Sequence, residues 1–274
     1  MNDTGLELAR LADAIEASAS REIFAAAPAP LASALGLESR EVEGATLLLA
    51  PRIPDAYFNR VIGLGVHEPA SEAGLDAIAA AYTSARVKDW WIHLTPGAAP
   101  AALAGWLEQR GFRAPARKSW AKVSRGRTPA PPVETAAEVR PVRSEEEKAA
   151  AEAIVAAYGV PAPFAAWFEA LARRPRWQAY VALDGSNVLG GAFLYLDGDK
   201  AWLGAAGVRK EARGRHVHRA LMARRIEDAI ARGCTRIFTE TGEAIGDEPN
   251  PSLANMEWCG FERVCSRLNY AAPA

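Results

Sequence analysis

The chain contains few of the residues that build metal sites or disulfide frameworks. Its 274 residues include three cysteines and four histidines. The cysteines, Cys234, Cys259 and Cys265, all lie in the last quarter of the chain and show no CxxC spacing. We therefore expect no metal site and no disulfide, and we expect the protein to work in a reducing compartment, the cytoplasm.

A strong net charge and a long apolar run at the N-terminus are also absent. The formal net charge is −1 at pH 7, so no overall electric field favours nucleic acid or an anionic membrane as a partner. The stretch MNDTGLELARLADAIEAS carries Asp, Glu and Arg throughout, which is typical of neither a signal peptide nor a membrane span. Any anion-binding site must therefore be local.

A proline-rich stretch divides the chain into two halves. SRGRTPAPPVETAAE, residues 124–138, has three prolines within four residues and no aromatic residue. This composition favours an extended, solvated connector. We predict a first domain over residues 1–126, a linker over residues 127–137 and a second domain over residues 138–274.

Helix and strand patterns alternate in both predicted domains. They predict an α/β (α+β) fold of two mixed-sheet domains in tandem, with helices on both faces. Ser71 is a predicted helix N-cap, and Ser144 with Glu147 predicts a capping box. Both domains end in strand, helix, strand, helix, a Gly-Phe pair and strand, with the pairs at residues 111–112 and 260–261. Either this is a weak internal repeat, or two unrelated units have helices that end in glycine.

The stretch GVRKEARGRHVHRALMARRIEDAIARG, residues 207–233, predicts a strand end, a tight basic loop and an amphipathic helix that begins near His218 or Arg219. The first turn of a helix leaves backbone N–H groups free, and guanidinium groups beside them match a diphosphate. Basic residues at a helix N-terminus oppose the helix dipole unless an anion neutralises them. The stretch therefore predicts an anion site, and a solvated surface without a ligand is the alternative. The basic side chains at this helix start are Arg213, Arg215 and Arg219.

Two histidines stand in this loop where phosphate-binding loops usually carry glycine. Glycine permits a positive φ and lets a phosphate approach the main chain, but a residue with a Cβ also fits if φ stays negative. His216 would place an imidazole near the diphosphate, whose charge favours the protonated ring. Either His216 adds a donor to the loop, or His216 and His218 only fill space.

The second domain runs strand, two helices, three meander strands, basic loop, helix, strand, helix, Gly-Phe and strand. Residues 213–218, RGRHVH, align with the signature Q/R-x-x-G-x-G/A, with histidine at both later glycine positions. An Asn before a short helix that ends in Gly-Phe is matched by residues 250–261. Over roughly residues 138–270 the chain therefore resembles the GNAT superfamily of acyl-CoA-dependent N-acyltransferases. The first domain looks like a degenerate copy, so the chain resembles a tandem GNAT protein with one cofactor site.

The resemblance implies that acetyl-CoA or another acyl-CoA binds as co-substrate in a slot between the fourth and fifth strands of the domain. The small residues of WLGAAGV, residues 202–208, suit an approaching chain, and Gly207 is predicted to mark a β-bulge. The alternative is that they only pack against a helix, and Asn250 and Ser252 are equally good helix caps. The residues that the resemblance assigns to the cofactor are Ala206, Gly207, Val208, Arg213, Gly214, Arg215, His216, Val217, His218, Arg219, Asn250, Ser252 and Asn255.

Acyl transfer to an amine needs one group that takes a proton from the amine and one that returns a proton to the thiolate. Glu240, at the end of the strand TRIFTETG, is our candidate base, and Glu243 is the second candidate. A solvent-facing Glu240 is the alternative interpretation. Tyr270 on the last strand is a candidate proton donor, or else an ordinary core residue. The tyrosine that often serves as general acid in this superfamily corresponds to Met256 here.

The function implied by the resemblance is N-acyl transfer, in the first instance acetyl transfer. The acceptor would be an amine of a small molecule or a peptide, which attacks directly without an acyl-enzyme. A non-catalytic CoA-binding or interaction module with the same fold is the alternative. Under either hypothesis, the first domain is a candidate for the lobe that shapes the acceptor cleft. We expect a monomer or a homodimer without a nucleic-acid or membrane partner.

Overall fold

The computed structural model describes residues 3–273. The described part of the chain forms eight α-helices and eleven strands. The α-helices are α1 (Asp3–Ala26), α2 (Ala29–Leu35), α3 (Glu72–Ser84), α4 (Leu103–Gln109), α5 (Glu147–Tyr158), α6 (Ala165–Ala172), α7 (Val217–Ala231) and α8 (Pro251–Trp258). The strands are β1 (Glu38–Val42), β2 (Ala45–Leu49), β3 (Arg60–Ile62), β4 (Trp91–Leu94), β5 (Ser119–Arg125), β6 (Glu138–Pro141), β7 (Trp177–Asp184), β8 (Asn187–Asp197), β9 (Lys200–Val208), β10 (Arg236–Gly242) and β11 (Glu262–Ala271).

The strands form one mixed sheet in the order β1-β2-β3-β4-β11-β5-β10-β9-β8-β7-β6. Two neighbouring pairs are parallel, β3 with β4 and β9 with β10, and a helix connects each pair. The other neighbouring strands are antiparallel. The predicted mixed α/β class is therefore confirmed, and the strands of both halves share one continuous sheet.

The last strand of each half pairs with strands of the other half. β5, which ends the first half, lies between β10 and β11 of the second half. β11, which ends the second half, lies between β4 and β5 of the first half. Residues 127–137 contain neither helix nor strand. The two halves are thus held together by backbone pairing as well as by the connecting segment.

Helices cover both faces of the sheet. On one face, α1 packs Ala12, Ile15 and Ala19 against Trp202 and Phe238. The spacings of three and four residues place these α1 side chains on one side of the helix. On the opposite face, α7 packs its apolar side against the strands of the second half. Among residues 3–273, no helix combines the length and the hydropathy that a membrane crossing requires.

Capping residues define several helix ends. The Ser71 side chain accepts a hydrogen bond from the Gly74 N–H, so the predicted N-cap of α3 is confirmed. The predicted capping box of Ser144 and Glu147 is wrong by one position. A 3-10 turn precedes α5, and the Glu146 carboxylate accepts from the Arg143 N–H at 3.0 Å.

A cluster of buried charged groups lies between α1 and the sheet. Asp13 and Glu16 of α1 have fully buried side chains. Glu16 Oε2 lies 2.6 Å from Lys122 Nζ of β5, and its Oε1 lies 3.2 Å from Arg60 Nη2 of β3. Asp13 Oδ1 lies 2.8 Å from Arg267 Nη1 of β11. Because buried ions need partners, the cluster fixes α1 against strands from both halves.

Candidate functional site

The parallel strands β9 and β10 separate part-way along their length. They pair only from Lys200 opposite Arg236 to Trp202 opposite Phe238. At the next position, the hydroxyl of Thr239 donates to the carbonyl oxygen of Leu203 at 2.7 Å. Beyond this contact the backbones of the two strands no longer pair, and a slot opens between them where the resemblance implies one.

A β-bulge lies on β9 at the edge of this slot. Between Gly191 and Phe193 of β8, the facing residues on β9 advance by three, from Gly207 to Gly204. The extra residue is accompanied by a positive φ of 43° at Ala205. Gly207 therefore borders the bulge, and the residue with a positive φ inside it is Ala205.

Gly207 also permits the close approach of α5. An added Cβ at Gly207 would lie 2.8 Å from the Ile154 Cα and from the Ala157 Cβ. The glycine therefore lets α5 sit against the strand beside the slot. The alternative role of the small residues, packing against a helix, applies at this position.

The N-terminus of α7 carries no side-chain cap. The helix begins at Val217, and its N-cap residue His216 has a φ of 58°. Gly214 precedes it with a φ of 78°. Gly214 and His216 thus both adopt the left-handed conformation that glycine usually adopts. For His216, which has a Cβ, this conformation costs about 1 kcal/mol of conformational free energy. The first N–H groups of α7 are therefore left for an external acceptor.

The three predicted arginines differ in their partners. Arg215 pairs with Asp184, at 2.6 Å from Nη2 to Oδ2. Arg219 donates from Nε to Asn255 Oδ1 at 2.8 Å and lies over the Trp258 ring. Within residues 3–273, the Arg213 guanidinium has no hydrogen bond or ion pair, and the residue is exposed. Arg213 is therefore the one of the three that is free to meet an anion.

The two histidines of the loop have different environments. His216 is exposed, and its Nδ1 lies 3.2 Å from the carbonyl oxygen of Glu134 in the connecting segment. His218 points into the cleft described below, with its Nδ1 3.1 Å from Asn255 Nδ2. Burial lowers the pKa of His218 to about 4, so the ring is neutral at pH 7.

The slot opens into a cleft of about 530 Å³. One part is lined by β9, α7 and α8, including His218, Asn250 and Ser252. The other part is lined by residues from both halves, around Glu240. Asn250 also caps α8, where its Oδ1 accepts from the Leu253 N–H at 3.1 Å. The cleft thus joins the predicted cofactor wall to a chamber that the first half helps to build.

Glu240 lies at the base of this chamber with a side chain that is 4% exposed. Its Oε2 accepts a hydrogen bond from Lys122 Nζ, and its buried Oε1 has no partner in the described part of the chain. Burial, together with the neighbouring Glu16 carboxylate, raises the pKa of Glu240 to about 7, although Lys122 and Arg267 oppose the shift. The alternative of a solvent-facing Glu240 is wrong.

The structure does not bring Tyr270 or Glu243 to this chamber. Tyr270 packs against the core of the first half and lines a different depression, beside Glu108. The Glu243 carboxylate binds Ser119, Arg263 and Ser266. Neither residue lines the cleft that holds Glu240.

Several residues of the cleft were not identified from the sequence. Tyr158, at the end of α5, and Arg225 of α7 both line it. Arg225 is buried and donates from Nη1 to the carbonyl oxygens of Phe193 at 3.0 Å and Gly204 at 3.4 Å. Burial lowers the pKa of Arg225 to about 10. An arginine at a position of α7 that faces the sheet is the sequence signal that could have pointed to Arg225.

In the first half, a side chain of the protein occupies the helix N-terminus that corresponds to the N-terminus of α7. Its crossover helix α3 begins beside the carboxylate of Glu43, which accepts from the Ser71 backbone N–H at 2.8 Å and from the Ser71 hydroxyl. A Cβ at Gly74 would collide with the same carboxylate. A side chain of the protein thus occupies the N-terminus of α3, whereas the N-terminus of α7 has no such occupant among the described residues.

Residues 144–249 match the model of the Acetyltransferase (GNAT) family. A search of curated protein sequences found no match. The structure is similar to a GCN5-related N-acetyltransferase from Kribbella flavida, with 16% identity, a TM-score of 0.63 and 96% of each chain covered. It is also similar to a GCN5-related N-acetyltransferase from Sphaerobacter thermophilus, with 18% identity and a TM-score of 0.61 over 83% of this chain and 79% of that one.

A third similar structure is a tandem GNAT protein from the clavulanic acid biosynthesis pathway. The two sequences are 17% identical, and the superposition has a TM-score of 0.60 over 86% of this chain and 81% of that one. At these identities the likeness shows the fold alone. Residues 144–249 of the second half are therefore similar to the GNAT acetyltransferase family, and the whole chain has a fold that a tandem GNAT protein shares.

Proposed function

We propose that the protein transfers an acyl group, in the first instance acetyl, from CoA to an amine of a small molecule or a peptide by direct attack. The observation that carries this proposal is Glu240, a buried carboxyl group with a pKa raised to about 7. It lies in the same cleft as the separation of β9 and β10. A base with such a pKa is both ionised and basic near neutral pH.

The residues around the slot fit an acyl-CoA. The uncapped N-terminus of α7 and the free guanidinium of Arg213 suit a diphosphate, because free N–H groups and a guanidinium both donate to phosphate oxygens. Backbone groups of β9 beside the bulge suit the amides of a pantetheine arm. We propose that the following residues hold the cofactor: Ala206, Gly207 and Val208 on the strand, residues 213–219 in the loop, and Asn250, Ser252 and Asn255 at the other wall.

A bound acyl-CoA supplies the thioester carbonyl carbon that the amine attacks. Glu240, whose residue lines the cleft, accepts the proton that the amine loses. Met256 lines the cleft but has no proton to return to the thiolate. We assign that step to Tyr158, whose half-exposed side chain lines the same cleft.

A non-catalytic CoA-binding or interaction module is the second candidate function. His218 lines the cleft, and Met256 lies at the position where the family often has the tyrosine that serves as general acid. Both features would suit a protein that binds CoA without turning it over. Under this candidate, CoA stabilises the fold and no acceptor is acylated.

The first test separates a CoA binder from a bare scaffold. A ligand that prefers the folded state raises Tm, so acetyl-CoA, CoA and desulfo-CoA should each raise it. The double variant Arg213→Ala with Arg215→Ala should weaken CoA binding at least tenfold. Arg10→Ala, an exposed arginine on α1, is the matched control and should leave binding unchanged. Equal affinity in all three proteins contradicts the proposed cofactor site.

The second test separates an enzyme from a module. Release of free CoA thiol is measured with acetyl-CoA and a panel of amines. The wild-type protein should release thiol in proportion to the acylated amine, and Glu240→Gln should reduce this release while it leaves the CoA-induced rise in Tm unchanged. A CoA-induced rise without any transfer supports the non-catalytic candidate.

A further inference from the structure

Aromatic rings stand beside the candidate base on the same face of the sheet. The register of β5 and β10 places Lys122 opposite Glu240 and Trp120 opposite Gly242. Residues two apart on a strand point to the same face. Trp120 is two residues before Lys122 on β5, so it is the diagonal neighbour of Glu240 on that face. Trp120 and Glu240 therefore lie on the same face of the sheet and line the same cleft.

The rings continue from Trp120 into a wall that spans both halves. The centroid of the Tyr57 ring lies 5.4 Å from that of the Trp120 ring and 5.7 Å from that of the Phe58 ring. Phe58 in turn lies 6.1 Å from Phe164 of the second half, and Phe164 lies 5.8 Å from Trp167. All five line the cleft, and we call them the aromatic wall.

Two further apolar side chains are exposed at the same cleft. Tyr158 is 50% exposed and Ile245 is 41% exposed, and both line the chamber. Within residues 3–273, only one other large apolar side chain, Leu268, is as exposed. Exposed apolar groups that continue a buried aromatic surface indicate a site that an apolar ligand group covers.

The charges of the cleft match a cation. The carboxyl groups of Asp55 and Glu248 are exposed in its lining, and Glu240 lies at its base. The two arginines in the lining, Arg117 and Arg225, already donate to backbone carbonyl oxygens. Among the described residues, the cleft lining therefore holds three carboxyl groups, and each of its two guanidinium groups already donates to a backbone carbonyl oxygen.

We propose that the acceptor is a primary amine carried on an aromatic or similarly bulky apolar group, which binds against the aromatic wall. This inference rests on the proposed acyl transfer. The amine nitrogen, after Glu240 takes its proton, bonds to the carbonyl carbon of an acyl-CoA. The C–S bond breaks, the thiolate takes a proton, and the products are an amide and free CoA. A cleft of about 530 Å³ is of the size that binds small molecules.

The experiment compares amines that differ in their substituents. Steady-state thiol release with acetyl-CoA is measured for 2-phenylethylamine, ethanolamine, spermidine and a lysine-containing peptide. We expect kcat/KM for 2-phenylethylamine to exceed that for ethanolamine at least tenfold, through a lower KM. In Trp120→Ala the ratio should fall below about threefold, whereas Trp106→Ala, which removes an indole outside the cleft, should keep it. A preference for spermidine or the peptide, or equal rates for all amines, overturns the proposal.

A binding measurement separates this inference from the proposed function. Calorimetric titration of the wild-type protein with 2-phenylethylamine and with ethanolamine, with CoA present and absent, requires no turnover and no variant. Tighter binding of 2-phenylethylamine supports the aromatic acceptor even if no acyl transfer occurs, and that result contradicts only the proposed reaction. A normal CoA-induced rise in Tm with equal or undetectable binding of the two amines overturns the aromatic acceptor and leaves the cofactor site standing.

Discussion

At the scale of single residues, the neighbours of Glu240 set its chemistry. Burial removes water from the carboxylate, and the nearby Glu16 carboxylate adds repulsion, so the protonated form is favoured. Lys122 and Arg267 counter this effect because both are buried cations. The resulting pKa of about 7 keeps part of the population ionised at neutral pH.

The first prediction concerns pH. Only the ionised form of Glu240 accepts a proton, so kcat/KM should rise as pH increases through about 7, the pKa of this group. Glu240→Gln should lower kcat by roughly 10²- to 10⁴-fold, the usual contribution of a general base. It should also remove this limb of the pH profile. The measurement is a pH–rate profile of both proteins with one amine.

Glu243→Gln is the matched control for this prediction. Its carboxylate lies on the same chain segment but binds Ser119 and Ser266 outside the chamber. The limb near pH 7 should therefore persist in this variant. If Glu240→Gln retains the limb and Glu243→Gln loses it, the assignment of the base is wrong.

The sequence identified the candidate base but not its surroundings. Glu240 was predicted from its place at a strand end, which depends on local pattern alone. The partners of Arg215 and Arg219 were not predicted, because Asp184 and Asn255 approach only when distant elements pack together. Tyr57, Trp120 and Tyr158 were missed for the same reason.

At the scale of elements, the bulge on β9 shapes the edge of the slot. Ala205 has a φ of 43°, which lies in the left-handed region that disfavours a Cβ. Its neighbour Ala206 has no positive φ. Two adjacent alanines on one strand therefore differ in backbone strain.

The second prediction uses this difference. Ala205→Gly relieves the left-handed conformation, so it should raise the free energy of unfolding by up to about 1 kcal/mol. Ala206→Gly relieves nothing and gives the unfolded chain more freedom, so it should lower the free energy by about 0.5–1 kcal/mol. Urea denaturation of both variants measures the two signs. Equal losses in both variants would show that Ala205 is not strained.

The start of α3 provides the third prediction. Glu43 accepts from Ser71 at the positive end of the helix dipole, so Glu43→Ala should lower the free energy of unfolding by about 1–2 kcal/mol. Glu41→Ala, an exposed carboxylate on the adjacent strand, should change it by less than about 0.5 kcal/mol. Thermal and urea denaturation compare the two variants. A loss of the same size in both would mean that Glu43 does not act as a cap.

Local signals predicted the elements better than their ends. Ser71 was identified as an N-cap, and α7 was predicted to begin one or two residues later than Val217. The cap at α5 moved by one residue because a 3-10 turn precedes the helix. Gly207 borders the predicted bulge on β9, but the close approach of α5 to the same glycine could not be predicted from local pattern.

At the scale of the whole molecule, the exchange of last strands makes each half incomplete. β10 needs β5 as its second neighbour, and β11 lies between two strands of the first half. The Lys122 partner of Glu240 also comes from the first half. The sequence predicted two domains and a connector from composition, but strand pairing between residues more than a hundred positions apart leaves no local pattern.

The last prediction tests this dependence, together with our proposed boundary at residues 127–137. The fragment 138–274 alone lacks β5, so one edge of β10 and both edges of β11 lose their hydrogen-bonding partners. In this fragment Glu240 also loses its ion pair with Lys122, and Arg267 loses its ion pairs with Asp13 and Glu16. We expect this fragment to be insoluble or unfolded by circular dichroism, and co-expression with residues 1–126 should restore a folded complex that binds CoA.

A protease site inserted into the connecting segment is the matched control. Cleavage there breaks one covalent link but leaves the sheet pairing and the buried ion pairs in place, so the two fragments should stay together on gel filtration. The CoA-induced rise in Tm should also persist, because the slot between β9 and β10 is unchanged. A fragment 138–274 that folds and binds CoA alone would show that the second half completes its own sheet, and that the base does not depend on the first half.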